Sequence, residues 1–299
     1  MNLKYKQHFL HAGTLACQVR AYGKSLIKNG ASYNDIIAKI NHKIIELGGR
    51  AAFPPQIALN NVAAHFLPQP DEDIILSNEV VKLDIGVCYN GAIGDCAVTV
   101  DLSGANQPLI DAAEAALAAA EAHIKVGMRI REIGKLIEET ITSRGFRPIR
   151  NLTGHGLGPY KVHMPPSIPN YDDNSTTIFR PGMTFAIEPF ATNGKGLIYD
   201  AGSPTIFSLI TQRPHQSPLG RALLPKIKSF DGLPFATHDL IDKDLPLAAV
   251  RAGLEELMHA RIIAGYAPLL EQGQGLVAQA ENSVLIDEKG AVFITTRGK

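Results

Sequence analysis

Two aspartates in the segment Val81–Asp101, VKLDIGVCYNGAIGDCAVTVD, have the type and spacing of a metal-binding pair. The dipeptide Asn90-Gly91 predicts a two-residue hairpin turn, which would place Gly86 opposite Asp95. Asp84 and Gly86 are two residues apart, so their side chains would share a face of the strand. Because Gly86 would lie opposite Asp95, Asp84 and Asp95 become diagonal neighbours with β-carbons roughly 7 Å apart. Buried together, they would repel each other, and two divalent cations about 3.5–4 Å apart would relieve that repulsion. For this segment alone, an exposed hairpin with two solvated acids is the simpler interpretation.

Three side chains of the second half could complete a metal site. In NLTGHGLGPYKVHMPPSI (151–168), His155 lies between two glycines, which allow the close backbone approach that a crowded metal site needs. By itself, Gly-His-Gly is more often an ordinary loop. Glu188 in RPGMTFAIEPF and Glu281 in LVAQAENSVLI each lie within an apolar, strand-like run. A glutamate is costly to bury there unless it is paired or bound to a metal, so these residues and the aspartates form one candidate constellation.

Helices with similar patterns precede and follow the predicted hairpin. The sequence predicts helices over residues 3–29, 32–47, 108–125 and 128–144, and an irregular or strand-like stretch over 57–67. A shift of 97 residues aligns Gly30 with Gly127 and Gly48 with Gly145, and it superposes the isoleucines of the second and fourth helices. The pattern indicates two similar halves, each with helices on one face of a sheet. A site between such halves would collect ligands from both.

Composition is ordinary for a soluble globular protein. Hydrophobic residues make up 45% and charged residues 19% of the 299 residues, and Lys+Arg equals Asp+Glu at 29 each. The balanced charge gives no bulk attraction to nucleic acid or to an anionic membrane. Three cysteines are too few for a disulfide framework, and the N-terminal residues lack the pattern of a secretory signal. No stretch approaches the roughly 20 apolar residues of a membrane span, so we expect a cytoplasmic protein.

The order Asp84, Asp95, His155, Glu188, Glu281, within KLDIGV, GHGLG, GMTFAIEPF and AQAENSVLI, resembles that of the methionine aminopeptidases. The resemblance includes NVAAHFLP (61–68) and LPFATHDL (233–240) and covers nearly the whole chain. It implies an α/β (α+β) pita-bread fold, the creatinase/aminopeptidase fold, with internal pseudo-two-fold symmetry. It also implies two divalent metal ions. By this resemblance Asp84 would bind the first ion, and His155 and Glu188 would bind the second. Asp95 and Glu281 would bridge the two ions. Four carboxylates and one imidazole are compatible with Co, Mn, Fe or Zn.

The same resemblance assigns catalytic and substrate-binding residues. Glu188 would handle the proton of the attacking water, His163 would lie near the scissile carbonyl, and His65 would lie near the amide.

The implied reaction removes the initiator methionine from nascent proteins whose second residue is small, by means of a water activated by the dinuclear centre. The expected partners are the N-termini of nascent polypeptides, with the ribosome as a candidate setting. We expect a monomer that binds neither nucleic acid nor membranes directly.

The segment between Glu188 and Glu281 is longer than one strand return requires, because 92 residues separate them. Its stretch 205–266 contains helical runs, notably 247–263, and resembles the winged-helix-like insertion of type II methionine aminopeptidases. We therefore expect a catalytic domain of residues 1–204 and 267–299 and a helical insertion subdomain of residues 205–266. Eight Lys/Arg and eight Asp/Glu between residues 193 and 275 give no basic footprint, so the insertion is interpreted as a wall of the substrate cleft. No Lys-rich extension precedes the catalytic domain, which resembles the minimal archaeal form.

Two alternative functions use a similar scaffold. Xaa-Pro dipeptidases and creatinase-like enzymes share the ligand set but carry an extra N-terminal domain, for which this chain has no room. Non-enzymatic relatives that bind RNA or protein have lost ligands, whereas all five are present here. The chain departs from the type II pattern at Cys88, Ala280 and Asn282-Ser283, where the family has histidine, an aromatic residue and His-Thr. In a strand, Ala280 and Asn282 point away from the face of Glu281, so we expect effects on packing more than on chemistry, and we do not expect Cys88 to be a ligand.

Overall fold

The computed structural model describes residues 2–298, so the outermost residues of the expected catalytic domain, 1 and 299, lie outside it. Its α-helices are α1 (Leu3–Leu26), α2 (Tyr33–Glu46), α3 (Gln107–His123), α4 (Ile130–Thr142), α5 (Pro218–Lys228) and α6 (Leu247–His259), and a short 3-10 helix spans Thr237–Leu240. The first four match the predicted helices to within a few residues. The Ser32 side chain caps α2 by accepting a hydrogen bond from the backbone N–H of Asp35. The helix predicted over 247–263 ends at His259, because the chain then turns into a strand.

The strands of residues 2–298 form five small sheets. The first half contains β1 (Arg50–Ala51), β2 (Gln56–Leu59), β3 (Val62–Ala64), β4 (Val80–Tyr89) and β5 (Ala92–Asp101). The next group is β6 (Arg147–Pro148), β7 (Thr153–Gly158), β8 (Lys161–Pro169), β9 (Thr184–Ile187), β10 (Phe190–Thr192), β11 (Ile198–Asp200) and β12 (Ile206–Leu209). The last group is β13 (Phe235–Ala236), β14 (Ile263–Tyr266), β15 (Leu269–Glu271), β16 (Val277–Gln279), β17 (Asn282–Ile286) and β18 (Val292–Ile294).

The sheets mix strands that are distant in sequence. Their orders are β1-β4-β2 with β5 on β4, β16-β10-β6, β11-β15-β3, β13-β12-β14 and β18-β17-β9-β7-β8. The stretch 57–67, predicted as irregular or strand-like, overlaps β2 and contains β3. The mixture of helices and antiparallel strands confirms the predicted α/β (α+β) class.

The hairpin β4–β5 has the predicted register. Tyr89 faces Ala92 and Gly86 faces Asp95, and the turn residues Asn90 and Gly91 both have positive φ, at 50° and 85°. These values are those of a type I′ turn, whose twist matches that of the flanking strands. The hairpin therefore fixes the relative positions of Asp84 and Asp95 within one rigid element.

The two similar halves predicted from the 97-residue shift are also present. α2 and α4 begin at equivalent positions, Tyr33 and Ile130, and the four aligned glycines all have positive φ of 78–85°. Each half has its own hydrophobic core: α1 and α2 pack on the β4–β5 hairpin, whereas α3 and α4 pack on the sheet containing β9 and β17. The internal pseudo-two-fold symmetry is thus visible in the helices and their packing.

The two glutamates lie at breaks between strands, which the sequence did not predict. Glu188 falls between β9 and β10, and Glu281 falls between β16 and β17. The strands on either side of each break belong to different sheets, since β9 pairs with β17 and β10 pairs with β16. The expectation that Glu188 and Glu281 lie inside continuous strands is therefore wrong. The chain passes from one sheet to another at both positions, and this bend directs both carboxylates to one place.

Residues 205–266 contain α5, α6 and the sheet β13-β12-β14. Side chains between Phe207 and Ile263 form a hydrophobic cluster that does not include residues of the two halves. In the described part of the chain, no helix is both long enough and apolar enough to cross a bilayer.

Candidate metal centre

One cavity of about 200 Å³ contains all five proposed metal ligands. Its lining includes Asp84, Asp95, His155, Glu188 and Glu281. The first two come from the hairpin of the first half, and the other three come from the second half. The structure therefore brings together residues that the sequence separates by up to 197 positions, from Asp84 to Glu281.

The side chains are close enough to share an ion. His155 Nε2 lies 3.5 Å from Glu188 Oε1 and 3.8 Å from Asp95 Oδ2. Asp95, His155 and Glu281 each offer a ligand atom, and these three atoms all lie within 4.8 Å of one another. These separations are those of donors around a common ion, because each donor lies about 2.0–2.2 Å from a bound Zn²⁺.

Small residues allow His155 to approach the other ligands. A β-carbon on Gly154 would lie 2.4 Å from the carbonyl oxygen of Ala186, and one on Gly156 would lie 2.4 Å from that of Pro165. Both contacts are far below van der Waals distance, so only glycine fits on either side of this histidine. The sequence had predicted such a close approach from the Gly-His-Gly motif.

The side chain of Ser283, one of the departures from the type II pattern, binds the backbone of Asp95 to β17. The Asp95 N–H donates to Ser283 Oγ over 2.7 Å, and the Ser283 hydroxyl donates to the carbonyl oxygen of Asp95 over 2.9 Å. Asn282, the neighbouring departure, accepts a hydrogen bond from the guanidinium of Arg20. Both residues therefore form contacts between the two halves.

The electrostatics of the cavity favour cations. Burial raises the pKa of Asp84 to about 7. Burial, and then the nearby Asp84 charge, raise the pKa values of Asp95 and Glu188 well above their usual range. The pKa of Glu281 rises for the same reasons, with the Asp95 charge as the main neighbour. No lysine or arginine is among the described residues that line the cavity, so the protein itself supplies no compensating charge there.

Two further observations test whether this donor set fits a metal. Oδ1 of Asp84 and Oδ1 of Asp95 are buried without a hydrogen-bond partner among the described residues, which is unfavourable unless another group binds them. Burial lowers the pKa of His155 to about 3, so its imidazole is neutral and can ligate a metal. Hard carboxylate oxygens with one imidazole suit a divalent ion such as Mn, Fe, Co or Zn. The residues present therefore fit a divalent metal centre.

His65 and His163 line the same cavity but contact other groups. The ring of His65 packs edge-on against Tyr266 with centroids 5.5 Å apart, and the His163 ring lies 4.5 Å from that of His155. His65 has a positive φ of 59°, unusual for a residue with a β-carbon, and strained backbone of this kind clusters at functional sites. Burial lowers the pKa of His65 to about 4 and also lowers that of His163. Both rings are therefore neutral at neutral pH.

Sequence reasoning missed residues in and beside the cavity. Tyr266 faces both His65 and His163, and its hydroxyl lies 2.9 Å from that of Ser208. Gln279 is not among the residues that line the cavity, but its side chain donates a hydrogen bond to the Glu281 carboxylate. Tyr266 lies outside the motifs described above, and Gln279 lies within AQAENSVLI but is neutral and not a usual metal ligand, so only the three-dimensional contacts reveal their roles. The apolar part of the cavity lining consists of Phe53, Ala64, Leu152, Val162, Phe190, Ile206 and Pro234.

Several solved structures share this fold. A methionine aminopeptidase from Thermotoga maritima is similar with a TM-score of 0.72 and 21% identity, covering 100% of this chain and 98% of that one. A prolidase from Pyrococcus furiosus gives a TM-score of 0.61 at 18% identity over 65% of its length, and a thermophilic Arx1 gives 0.86 at 14% identity over 91% of its length. A model of metallopeptidase family M24 matches residues 7–217. The chain belongs to metallopeptidase family M24, and the predicted pita-bread fold is confirmed.

Proteins that are similar to this chain in sequence narrow the family assignment. A methionine aminopeptidase of Archaeoglobus fulgidus is 39% identical over 297 residues, covering 99% of this chain and all of that protein. One from Methanocaldococcus jannaschii is 38% identical over 299 residues, again over its full length. Within M24, the chain is thus a member of the methionine aminopeptidases, and its predicted resemblance to the archaeal, type II form is confirmed.

Proposed function

We propose that this protein is a metal-dependent methionyl aminopeptidase that removes the initiator methionine from nascent proteins whose second residue is small. The observation that carries the proposal is the convergence of four carboxyl groups and one neutral imidazole at a cavity with an apolar wall. Divalent ions there are required to compensate the carboxylates, and the apolar wall suits an unbranched thioether side chain. The full-length similarity to methionine aminopeptidases supports the same activity.

Two divalent ions per chain are proposed, with Co, Mn, Fe and Zn as the candidates. Asp84 would bind one ion, Asp95 and Glu281 would bridge both, and His155 with Glu188 would complete the other. The mutual proximity of ligand atoms on Asp95, His155 and Glu281 supports this arrangement. When bound, the ions would supply Lewis-acid polarisation of the scissile carbonyl and a water of lowered pKa.

The remaining steps belong to side chains of this protein. Glu188, whose pKa is raised by burial, is suited to accept the proton of the attacking water and to pass it to the leaving amine. His163 is proposed to donate a hydrogen bond to the substrate carbonyl oxygen as negative charge develops there. His65 is proposed to contact the amide, and its neutral ring adds no positive charge to the cavity.

The rest of the cleft would be provided by the insertion. We propose that residues 205–266 form a helical insertion subdomain and that residues 1–204 and 267–299 form the catalytic domain. The separate hydrophobic cluster between Phe207 and Ile263 supports this division. Ile206, Pro234 and Tyr266 line the cavity, which supports a role for the insertion as a wall of the substrate cleft.

The proposed partners follow from the substrate. N-termini of nascent polypeptides are available where proteins are made, so the cytoplasm, with the ribosome as one setting, is the proposed location. All three cysteines are free, as is usual in a reducing compartment. The insertion, residues 205–266, has seven basic and six acidic residues, and we propose a monomer without direct binding to nucleic acid or to membranes.

A peptide assay tests the function against its main alternative. Protein reconstituted with Co²⁺, Mn²⁺, Fe²⁺ or Zn²⁺ is incubated with Met-Ala-Ser and with Ala-Pro, and free amino acids are quantified. We expect release of methionine from Met-Ala-Ser, no cleavage of Ala-Pro, and loss of activity after chelation. Cleavage of Ala-Pro alone would assign an Xaa-Pro dipeptidase, and no cleavage of either peptide by metal-loaded protein would favour a binding protein.

A further inference from the structure

The carboxamide of Gln279 lies beside a proposed ligand of the second half, on a strand that is bound to the hairpin of the first half. Its Nε2 donates a hydrogen bond to Oε2 of Glu281 over 3.4 Å. Burial raises the pKa of Asp84, and the Gln279 side chain offsets part of that rise. Gln279 is 1% exposed, so water has little access to these contacts.

Two side chains of the β4–β5 hairpin fix the strand that carries Gln279. The Thr99 hydroxyl donates to the Gln279 carbonyl oxygen over 2.7 Å and accepts from its N–H over 2.8 Å. Lys82, which pairs with Thr99 across the hairpin, donates from Nζ to the carbonyl oxygen of Val277 over 3.0 Å. Both side chains are buried. Strand β16 is therefore bound to the same hairpin that carries Asp84 and Asp95.

The chemistry of an amide suits a place beside a metal ligand. A primary amide has two N–H donors and no charge, so it can bond to a ligand carboxylate without neutralising the charge that a cation requires. Each ionised carboxylate has about four acceptor sites. An N–H donor that occupies one of these sites limits rotation of the carboxylate and directs its other oxygen atom.

We propose that Gln279 is a positioning residue that fixes the Glu281 carboxylate relative to the hairpin that carries Asp84 and Asp95 and thereby sets the affinity of the centre for divalent ions. The inference rests on the proposed function only in treating these carboxylates as metal ligands. Gln279 is not a catalytic residue, because its hydrogen bond goes to the carboxylate of a proposed ligand and not to a group that would meet the substrate.

The test measures metal binding. Gln279→Met keeps an unbranched side chain of similar length and removes both donors, whereas Gln279→Asn keeps the amide but withdraws it by one methylene. Chelated protein is titrated with CoCl₂ by calorimetry and by the visible absorption of bound Co²⁺. We expect both variants to bind Co²⁺ about 10–100-fold more weakly, as is typical for loss of an outer hydrogen bond to a ligand, with a changed absorption spectrum.

A matched control separates positioning from general loss of packing. Thr192 on β10 is fully buried, and its hydroxyl accepts a hydrogen bond over 2.9 Å from the N–H of Gly194, which is not a proposed ligand. Thr192→Val should lower the melting temperature while keeping the wild-type Co²⁺ affinity and spectrum. The Co²⁺-dependent increase in melting temperature gives the affinity even for a destabilised variant.

Three outcomes would be informative. Wild-type Co²⁺ affinity in both Gln279 variants would overturn the proposal, and so would an equal loss of affinity in Thr192→Val. If wild-type protein binds Co²⁺ but does not cleave Met-Ala-Ser, the proposed function fails, while the Co²⁺ titrations of the Gln279 variants still decide the role of this residue.

Discussion

His155 and His163 lie close together in sequence and in space, yet their surroundings differ. The His155 side chain is 12% exposed and faces two carboxylates, Asp95 and Glu188. His163 is the more exposed ring, and it faces His155 and Tyr266. The first environment supports the proposed role of His155 as a metal ligand, and the second supports the proposed role of His163 in contacting a substrate.

Substitution of each histidine should separate these roles. We expect His155→Ala to lose bound metal and activity together. His163→Ala should keep its metal, while kcat falls about 10²–10³-fold, the usual effect of removing one donor to a developing oxyanion. KM should change less, because the bond strengthens mainly in the transition state. Metal analysis beside steady-state kinetics measures both effects, and metal loss in His163→Ala but not in His155→Ala would reverse the assignments.

The two proposed bridging ligands should each be essential. Asp95→Ala or Glu281→Ala removes one of four carboxylates, and two ions would then share too little negative charge, so metal content and activity should both fall. Asp111→Ala, which removes an exposed carboxylate on α3 that bonds to Gln107, is the control and should retain both. Stoichiometric metal with near-normal turnover in either bridging variant would contradict a dinuclear centre.

His65 should be the nucleophile that an electrophilic ligand meets in this cavity. Burial lowers its pKa to about 4, so its ring is neutral above that pH and is protonated only below it. An epoxide with a methionine-like apolar tail should therefore alkylate His65 at a rate that hardly changes between about pH 6 and 8. An ordinary histidine, with a pKa of about 6.5, would react faster across that range as it loses its proton. Peptide mapping locates the adduct, and an adduct on another residue of the active enzyme would contradict this placement.

At the scale of helices and strands, short sequence motifs predicted those features that depend on contacts between residues close in sequence. Asn90-Gly91 determines the hairpin turn and therefore the register that brings Asp84 beside Asp95. The breaks at Glu188 and Glu281 were not predictable in the same way. Each exists because the strands before and after it pair with different sheets, and these pairings join residues about ninety positions apart, as Ile187 and Asn282 are.

Packing of α1 against the hairpin should influence the ligand that follows Gly94. A β-carbon on Gly94 would lie 2.4 Å from the carbonyl oxygen of Ala12 in α1, so Gly94→Ala must displace either the helix or the strand. We expect a loss of about 1–3 kcal/mol in the free energy of unfolding and weaker Co²⁺ binding, since Asp95 is the next residue.

Urea denaturation and a CoCl₂ titration measure these two quantities. Gly298→Ala is the control, because its added β-carbon would meet only Cys17 Sγ, at 3.7 Å. If Gly94→Ala matches the control in both measurements, the contact with α1 does not position Asp95.

At the scale of the whole molecule, the 97-residue internal similarity predicted two halves and a site between them, and both are present. The sequence did not predict which side chains connect the halves. Lys82 and Thr99 reach β16, and Arg20 reaches Asn282. These contacts depend on the orientation of one half relative to the other, which no local pattern specifies. Gln279 and Tyr266 were missed for the same reason.

Metal removal should make the stability of the whole protein dependent on pH. In the metal-free state the pKa of Asp84 is raised to about 7, so the folded state holds a proton that the unfolded state releases near pH 4. The stabilisation from this group is complete below about pH 4 and is lost as the pH rises towards about 7.

Thermal unfolding measures this dependence. EDTA-treated protein should have a lower melting temperature at about pH 8 than at about pH 5.5, and Co²⁺ should remove most of the difference. The chelated Asp84→Asn variant, which cannot titrate at this position, should show a smaller dependence. Equal stability of the chelated wild-type protein at both pH values would contradict the prediction.

The distribution of the ligands along the chain also has a consequence for biosynthesis. At about 5–20 residues per second, the 197 positions from Asp84 to Glu281 take roughly 10–40 s to translate. Throughout that interval, the β4–β5 hairpin can exist without the strand that brings Glu281. A metal centre built from the proposed ligands therefore cannot be complete until the ribosome has synthesised both halves, and metal acquisition would be one of the last events in the maturation of the protein.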